Sequence, residues 1–139
     1  MTTQQTTRTA ATATTAGPLR LFLALDAAVT GANGLIYLLA AGPVGRLLDV
    51  DSGFLRGIGV FLTVYGIAVA ALAAKPLPSS AATKAVIEIN ALWALGSIAA
   101  VVFGWLDPNT VGTVWIPLQA VLVAAFAALQ YGALRKTRY

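Results

Sequence analysis

Apolar residues fill this chain in four long runs, and the polar positions inside each run recur at helical spacing. The first run, residues 19–41 (LRLFLALDAAVTGANGLIYLLAA), is interrupted by Asp26, Thr30, Asn33 and Tyr37. Steps of four, three and four residues keep these four side chains within about 60° of one another at ~100° per residue. A backbone in hydrocarbon must satisfy its own hydrogen bonds, so such a run is a helix. At ~1.5 Å per residue it measures roughly 34 Å, enough to cross an apolar layer of about 30 Å with slight tilt. A carboxylate at mid-helix costs about 2.5–3.5 kcal/mol on insertion scales, so Asp26 must face protein or trapped water. Ala27, Gly31 and Gly34 fall roughly 100° round from the polar stripe, where they let a neighbouring helix approach closely. The pattern therefore predicts an inner helix.

Three further spans follow, over 54–74, 84–105 and 111–134. The second carries Gly59, Thr63, Gly66 and Ala70 as a row of small residues suited to close packing. The third contains Glu88, Asn90, Trp93 and Ser97, and the fourth Trp115, Pro117, Gln119 and Gln130. Residues 42–53 read as a turn-rich connection whose Leu47-Leu48 pair dips into the interface. Residues 75–83, with two prolines, read as a short loop. In the turn at 107–110, Asn109 or Thr110 is a suitable cap for the last helix. The fold class expected is an all-α transmembrane four-helix bundle spanning 18–134. Residues 1–17 are Thr- and Ala-rich and read as a disordered cytoplasmic tail, with Gly17-Pro18 marking the start of the first helix. Residues 135–139 form a basic cytoplasmic tail.

Composition agrees with the membrane assignment: 58% of the 139 residues are hydrophobic and only 10% charged. The net charge of +4 would suit nucleic acid, but the basic residues sit at the ends of the apolar runs. There they set orientation and meet anionic lipid headgroups, so the bilayer is the expected partner and nucleic acid is not. Arg8, Arg20, Lys75, Lys84, Arg135, Lys136 and Arg138 fall on one side of the layout, Arg46 and Arg56 on the other. That bias predicts four spans with both termini cytoplasmic. A faint repeat accompanies it: Leu25-Asp26-Ala27 matches Ile89-Asn90-Ala91 in depth, and Arg56 matches Gln119 in offset. Two helical hairpins entering from the same side would form a parallel repeat about the membrane normal.

Candidate chemistry is sparse. The chain has no cysteine and no histidine, which removes thiol nucleophiles, haem-ligating histidines and ordinary zinc or copper sites. It has no glycine-rich phosphate loop and no two carboxylates on one helix face. No catalytic residue, metal site or cofactor is expected. Two polar groups remain. Asp26, Thr30, Asn33, Asn90 and Gln130 lie toward the cytoplasmic ends of their helices and form a candidate inner cluster. There Asp26 either fixes helix register by accepting hydrogen bonds from the amides, or binds a cation or shuttles a proton. Tyr37, Arg56 and Gln119 form a candidate outer group, with Arg56 pairing Asp49 or Asp51, or attracting an anion. Glu88, one turn from Lys84, reads as half of an interfacial ion pair. Trp105 and Trp115 read as aromatic-belt anchors, and Trp93 as a lipid-facing or core filler.

The segments LALDAAVTGANGLIYLLA, FLRGIGVFLTVYGIAV, INALWALGSIAAV and VGTVWIPLQAVLVAAFAALQ together resemble a family of small four-span membrane proteins of actinobacteria. The resemblance covers nearly all of the chain after residue 18. It implies a bacterial inner (plasma) membrane and carries over no catalytic or binding residue, because that family has no assigned biochemical function. The role expected from the residues is structural or accessory, through helix packing with itself as a homo-oligomer or with a membrane-protein partner. The alternative is a small-solute or proton/cation-linked transporter using Asp26.

Overall fold

The computed structural model describes residues 16–139 in full. It contains five helices: α1 (Thr2–Leu39, with side chains described from Ala16), α2 (Ala41–Leu48), α3 (Ser52–Ala74), α4 (Ser80–Val102) and α5 (Thr110–Lys136). Four of these, counting α1 from Ala16, are long and apolar enough to cross a membrane. Among the described residues the protein is all helical, a four-helix bundle with one short extra helix. In the expected tail over 1–17, side chains are described only at Ala16 and Gly17. Those two are helical and Ala16 is buried, so α1 runs through Pro18 and does not start at it.

The extra helix falls where a turn-rich connection was expected. Its C-cap Asp49 adopts a left-handed conformation (φ 56°), a position that Asp tolerates better than most residues. The side chain of Asp51 then caps α3, accepting from the Phe54 amide at 2.9 Å. Ser79 caps α4 in the same way, so that span starts four residues earlier than the apolar pattern indicated. It ends at Val102, three residues short of Trp105, where Gly104 takes a positive φ of 73° and turns the chain. Asn109 caps α5, its Oδ1 accepting from the Gly112 amide at 3.0 Å.

Packing divides the bundle into two tight pairs, α1 with α3 and α4 with α5, while α3 and α4 hardly touch. The α1–α3 contact is backbone to backbone. A Cβ placed on Gly59 would lie 2.5 Å from the Leu38 amide nitrogen, and one on Gly66 would lie 2.9 Å from the Gly31 Cα. The small-residue row expected on the second span therefore faces the first, and no larger residue fits there. Thr63 returns its hydroxyl to the Gly59 carbonyl at 2.7 Å.

The outer surface inverts the pattern of a water-soluble bundle. Ile67, Leu92, Leu95 and Val102 are each about two-thirds exposed, whereas Asp26 and Gln130 are 0% exposed. A polar centre inside an apolar coat is the arrangement that lipid, as solvent, selects. At the other end of the chain, the Tyr139 hydroxyl donates to the Pro78 carbonyl at 2.6 Å, so the C-terminus sits beside the α3–α4 loop.

Candidate functional site

The polar cluster draws side chains from all four spanning helices. Asp26 comes from α1, Tyr65 from α3, Asn90 from α4 and Gln130 from α5. Thr30, one turn beyond Asp26, donates to its Oδ1 at 2.8 Å. Asn90 Nδ2 and Gln130 Nε2 each donate to Oδ2 at 2.7 Å. Asn90 Nδ2 also lies 3.1 Å from Gln130 Oε1, which closes a ring of three side chains. The Tyr65 hydroxyl points toward Asn90 Oδ1 at 3.1 Å and the Val86 carbonyl at 3.2 Å. Among the described residues no buried side-chain nitrogen or oxygen lacks a partner.

The donors converge on Asp26 because each stands on the inward stripe of its own helix. Asp26 itself lies in the apolar part of α1, 0% exposed. The Asp26 carboxyl group is held by hydrogen bonds from three neutral donors.

Four of the five expected inner residues therefore meet: Asp26, Thr30, Asn90 and Gln130. Asn33 does not join them. It lies on the same stripe, two turns beyond Asp26, and lines a cavity of about 320 Å³ instead. Tyr65 is the member that sequence reasoning missed. Its signal was legible, because a tyrosine deep in an apolar run needs a partner for its hydroxyl.

The expected outer group comes apart. Arg56 is exposed and lines neither cavity of the bundle interior, and Asp51, one of its expected partners, spends its carboxylate on the cap of α3. The helix rotation that buries Leu55 and Gly59 turns Arg56 outward. Tyr37 and Gln119 do share a second cavity, of about 520 Å³. Trp115 is no simple belt anchor, since its indole N–H donates to the Tyr37 hydroxyl at 2.8 Å. Trp105 does stand out from the bundle, 70% exposed. Trp93 is half-buried, stacked at 5.9 Å on Phe61, with its indole N–H 3.4 Å from Gln119 Oε1. Glu88 and Lys84 are both exposed on α4.

The two cavities are neighbours between the helix pairs. Ile89, Trp93 and Gln119 line both. The pairs are tied below the space by the Asp26 cluster and above it by Trp115–Tyr37. A further tie joins the α4–α5 turn to α2, where Asn109 Nδ2 donates to the Leu47 carbonyl at 2.7 Å. Thr30 and Asn90 border the smaller lobe, but Asp26 lines neither.

These features define a class: a multi-pass membrane protein with a polar lock in its core and an aromatic-lined cavity beside it. Comparison with protein-family models, curated proteins and solved structures gives no match to this chain.

Proposed function

We propose that this protein serves a structural or accessory role in a bacterial inner membrane, both termini cytoplasmic, by packing with itself or with a membrane-protein partner. The observation that carries this reading is the sealing of Asp26. Its two oxygens are taken up by three neutral donors, it is 0% exposed, and it lines neither lobe of the cavity. A carboxylate so placed holds helices in register, and a transport acid needs a route to water. The charge bias of the loops supports the orientation.

A second reading, proton- or cation-linked transport, draws on one observation. Thr30 and Asn90 both hold Asp26 and both border the smaller lobe, so a rearrangement of either would open the carboxylate to the cavity. Reconstitution into liposomes separates the two. The structural role predicts no proton or cation flux above protein-free vesicles, and co-purification of a stoichiometric membrane protein, or a homo-oligomer, by mass spectrometry with lipids retained. Flux that vanishes in Asp26→Asn would replace the structural reading with the transport one.

A further inference from the structure

The space between the helix pairs has a chemistry of its own, independent of what the Asp26 lock does. Its smaller lobe is walled by Phe61, Tyr65, Trp93 and Trp115, and its larger lobe by Phe54, Ile58 and Leu92 among others. Volumes of about 320 and 520 Å³ fall within the range of small-molecule sites, roughly 300–1,000 Å³. No Lys, Arg, Asp or Glu lines either lobe. An ionic ligand would therefore enter without a counter-charge, at a cost that hydrocarbon makes prohibitive. The occupant must be neutral.

Two carboxamides give the space its polarity. Asn33 is half-buried on the wall of the smaller lobe, and no described residue donates to its side chain or accepts from it. Gln119 is half-buried between the lobes, its Oε1 taken by Trp93, while its Nε2 has no partner among the described residues. In the polar cluster, by contrast, every carboxamide nitrogen is spent. Unspent N–H donors at hydrocarbon depth are costly, and a ligand that brings acceptor oxygens removes the cost. Aromatic walls favour a flat ring. The larger, mainly apolar lobe shares Ile89, Trp93 and Gln119 with the smaller and has room for a hydrocarbon substituent.

We propose that this cavity is a binding site for a neutral, lipid-soluble molecule with a flat ring bearing carbonyl oxygens, of the quinone type, which accept hydrogen bonds from Asn33 and Gln119.

The test uses the full chain in phosphatidylcholine nanodiscs with Trp105→Phe as background, so that fluorescence reports Trp93 and Trp115. The probe is 2-methyl-1,4-naphthoquinone, which quenches indole emission on contact. Saturable quenching is expected. Gln119→Leu and Asn33→Leu should each weaken apparent affinity by about tenfold, the scale of one well-placed hydrogen bond. Circular dichroism confirms that each variant is folded, and either one suffices if the other is not. Excess n-dodecane should relieve the quenching poorly. Quenching that rises linearly without saturation would mean simple partitioning into lipid and would overturn the proposal. Equal affinity in the folded variants, or full relief of quenching by n-dodecane, would reduce the cavity to an acyl-chain slot and overturn it equally.

Discussion

Asp26 and Gln130 stand 104 positions apart in the chain, yet the Gln130 carboxamide nitrogen lies 2.7 Å from the Asp26 carboxylate. This bond ties the first span to the last. With Tyr65 and Asn90 it draws on all four spanning helices, so the cluster closes only when the whole bundle has assembled. The α1–α3 and α4–α5 pairs touch each other little along α3 and α4 and meet mainly along α1 and α5, where the cluster helps to fasten them.

Replacement of Asp26 should therefore separate shape from hydrogen bonding. In Asp26→Asn the side-chain oxygen can still accept from Asn90 and Gln130, and its nitrogen can donate to the Thr30 hydroxyl once that rotates. We expect a loss of less than about 1 kcal/mol. Asp26→Leu orphans two or three donors and should cost at least about 2 kcal/mol. Thermal or denaturant unfolding in detergent, followed by circular dichroism, measures both. Parental stability in Asp26→Leu would mean that the donors find other partners and that the lock is dispensable.

Tyr65 should matter less. Its ring is held by Phe61 at 5.7 Å, and only the hydroxyl reaches Asn90. Tyr65→Phe keeps the ring and removes one neutral hydrogen bond, an expected loss of about 0.5–1.5 kcal/mol in the same unfolding assay. A loss as large as that of Asp26→Leu would show that the hydroxyl organises the whole ring.

The glycine seam makes a sharper contrast. Gly66→Leu drives a side chain into the Gly31 backbone and should cost about 1–3 kcal/mol, or more if α1 cannot shift. A methyl group at Gly132 on α5 would instead meet nothing within 4 Å. Gly132→Ala should leave stability unchanged or raise it by about 0.4–1 kcal/mol through the stiffer unfolded chain. Equal effects of the two substitutions would dismiss the seam.

Asn109 holds two ends at once, capping α5 with its oxygen and α2 with its nitrogen. Asn109→Asp preserves the cap but sets an acceptor against the Leu47 carbonyl. Asn109→Ala loses both. A cap alone is worth about 0.5–2 kcal/mol, so the alanine variant should fall in or above that range, with the aspartate variant losing the tie alone. Hydrogen exchange at α2 reports the difference, and unchanged protection in both variants would mean that Asn109 does not hold α2.

Orientation is checked independently of stability. Reporter fusions after Tyr139 and within residues 76–79 should both read cytoplasmic, and one within 107–110 external. An external reading after Tyr139 would overturn the orientation drawn from the charge bias.

By itself the sequence determined the all-α class, the four spans and the inward stripe. Hydrocarbon leaves an apolar run of that length one backbone solution, and helical geometry then places residues three and four apart on one face. It also marked Gly59 and Gly66, because small residues at such spacing serve close helix contact. Rotation and depth of each helix relative to its neighbours were beyond it. Those depend on how the α1–α3 and α4–α5 pairs settle against each other, a matter of side-chain packing between segments far apart in the chain. Only that packing turned Arg56 outward, moved Asn33 from the cluster to the cavity wall, brought Tyr65 to Asn90, and left an aromatic-lined space beside a sealed carboxylate.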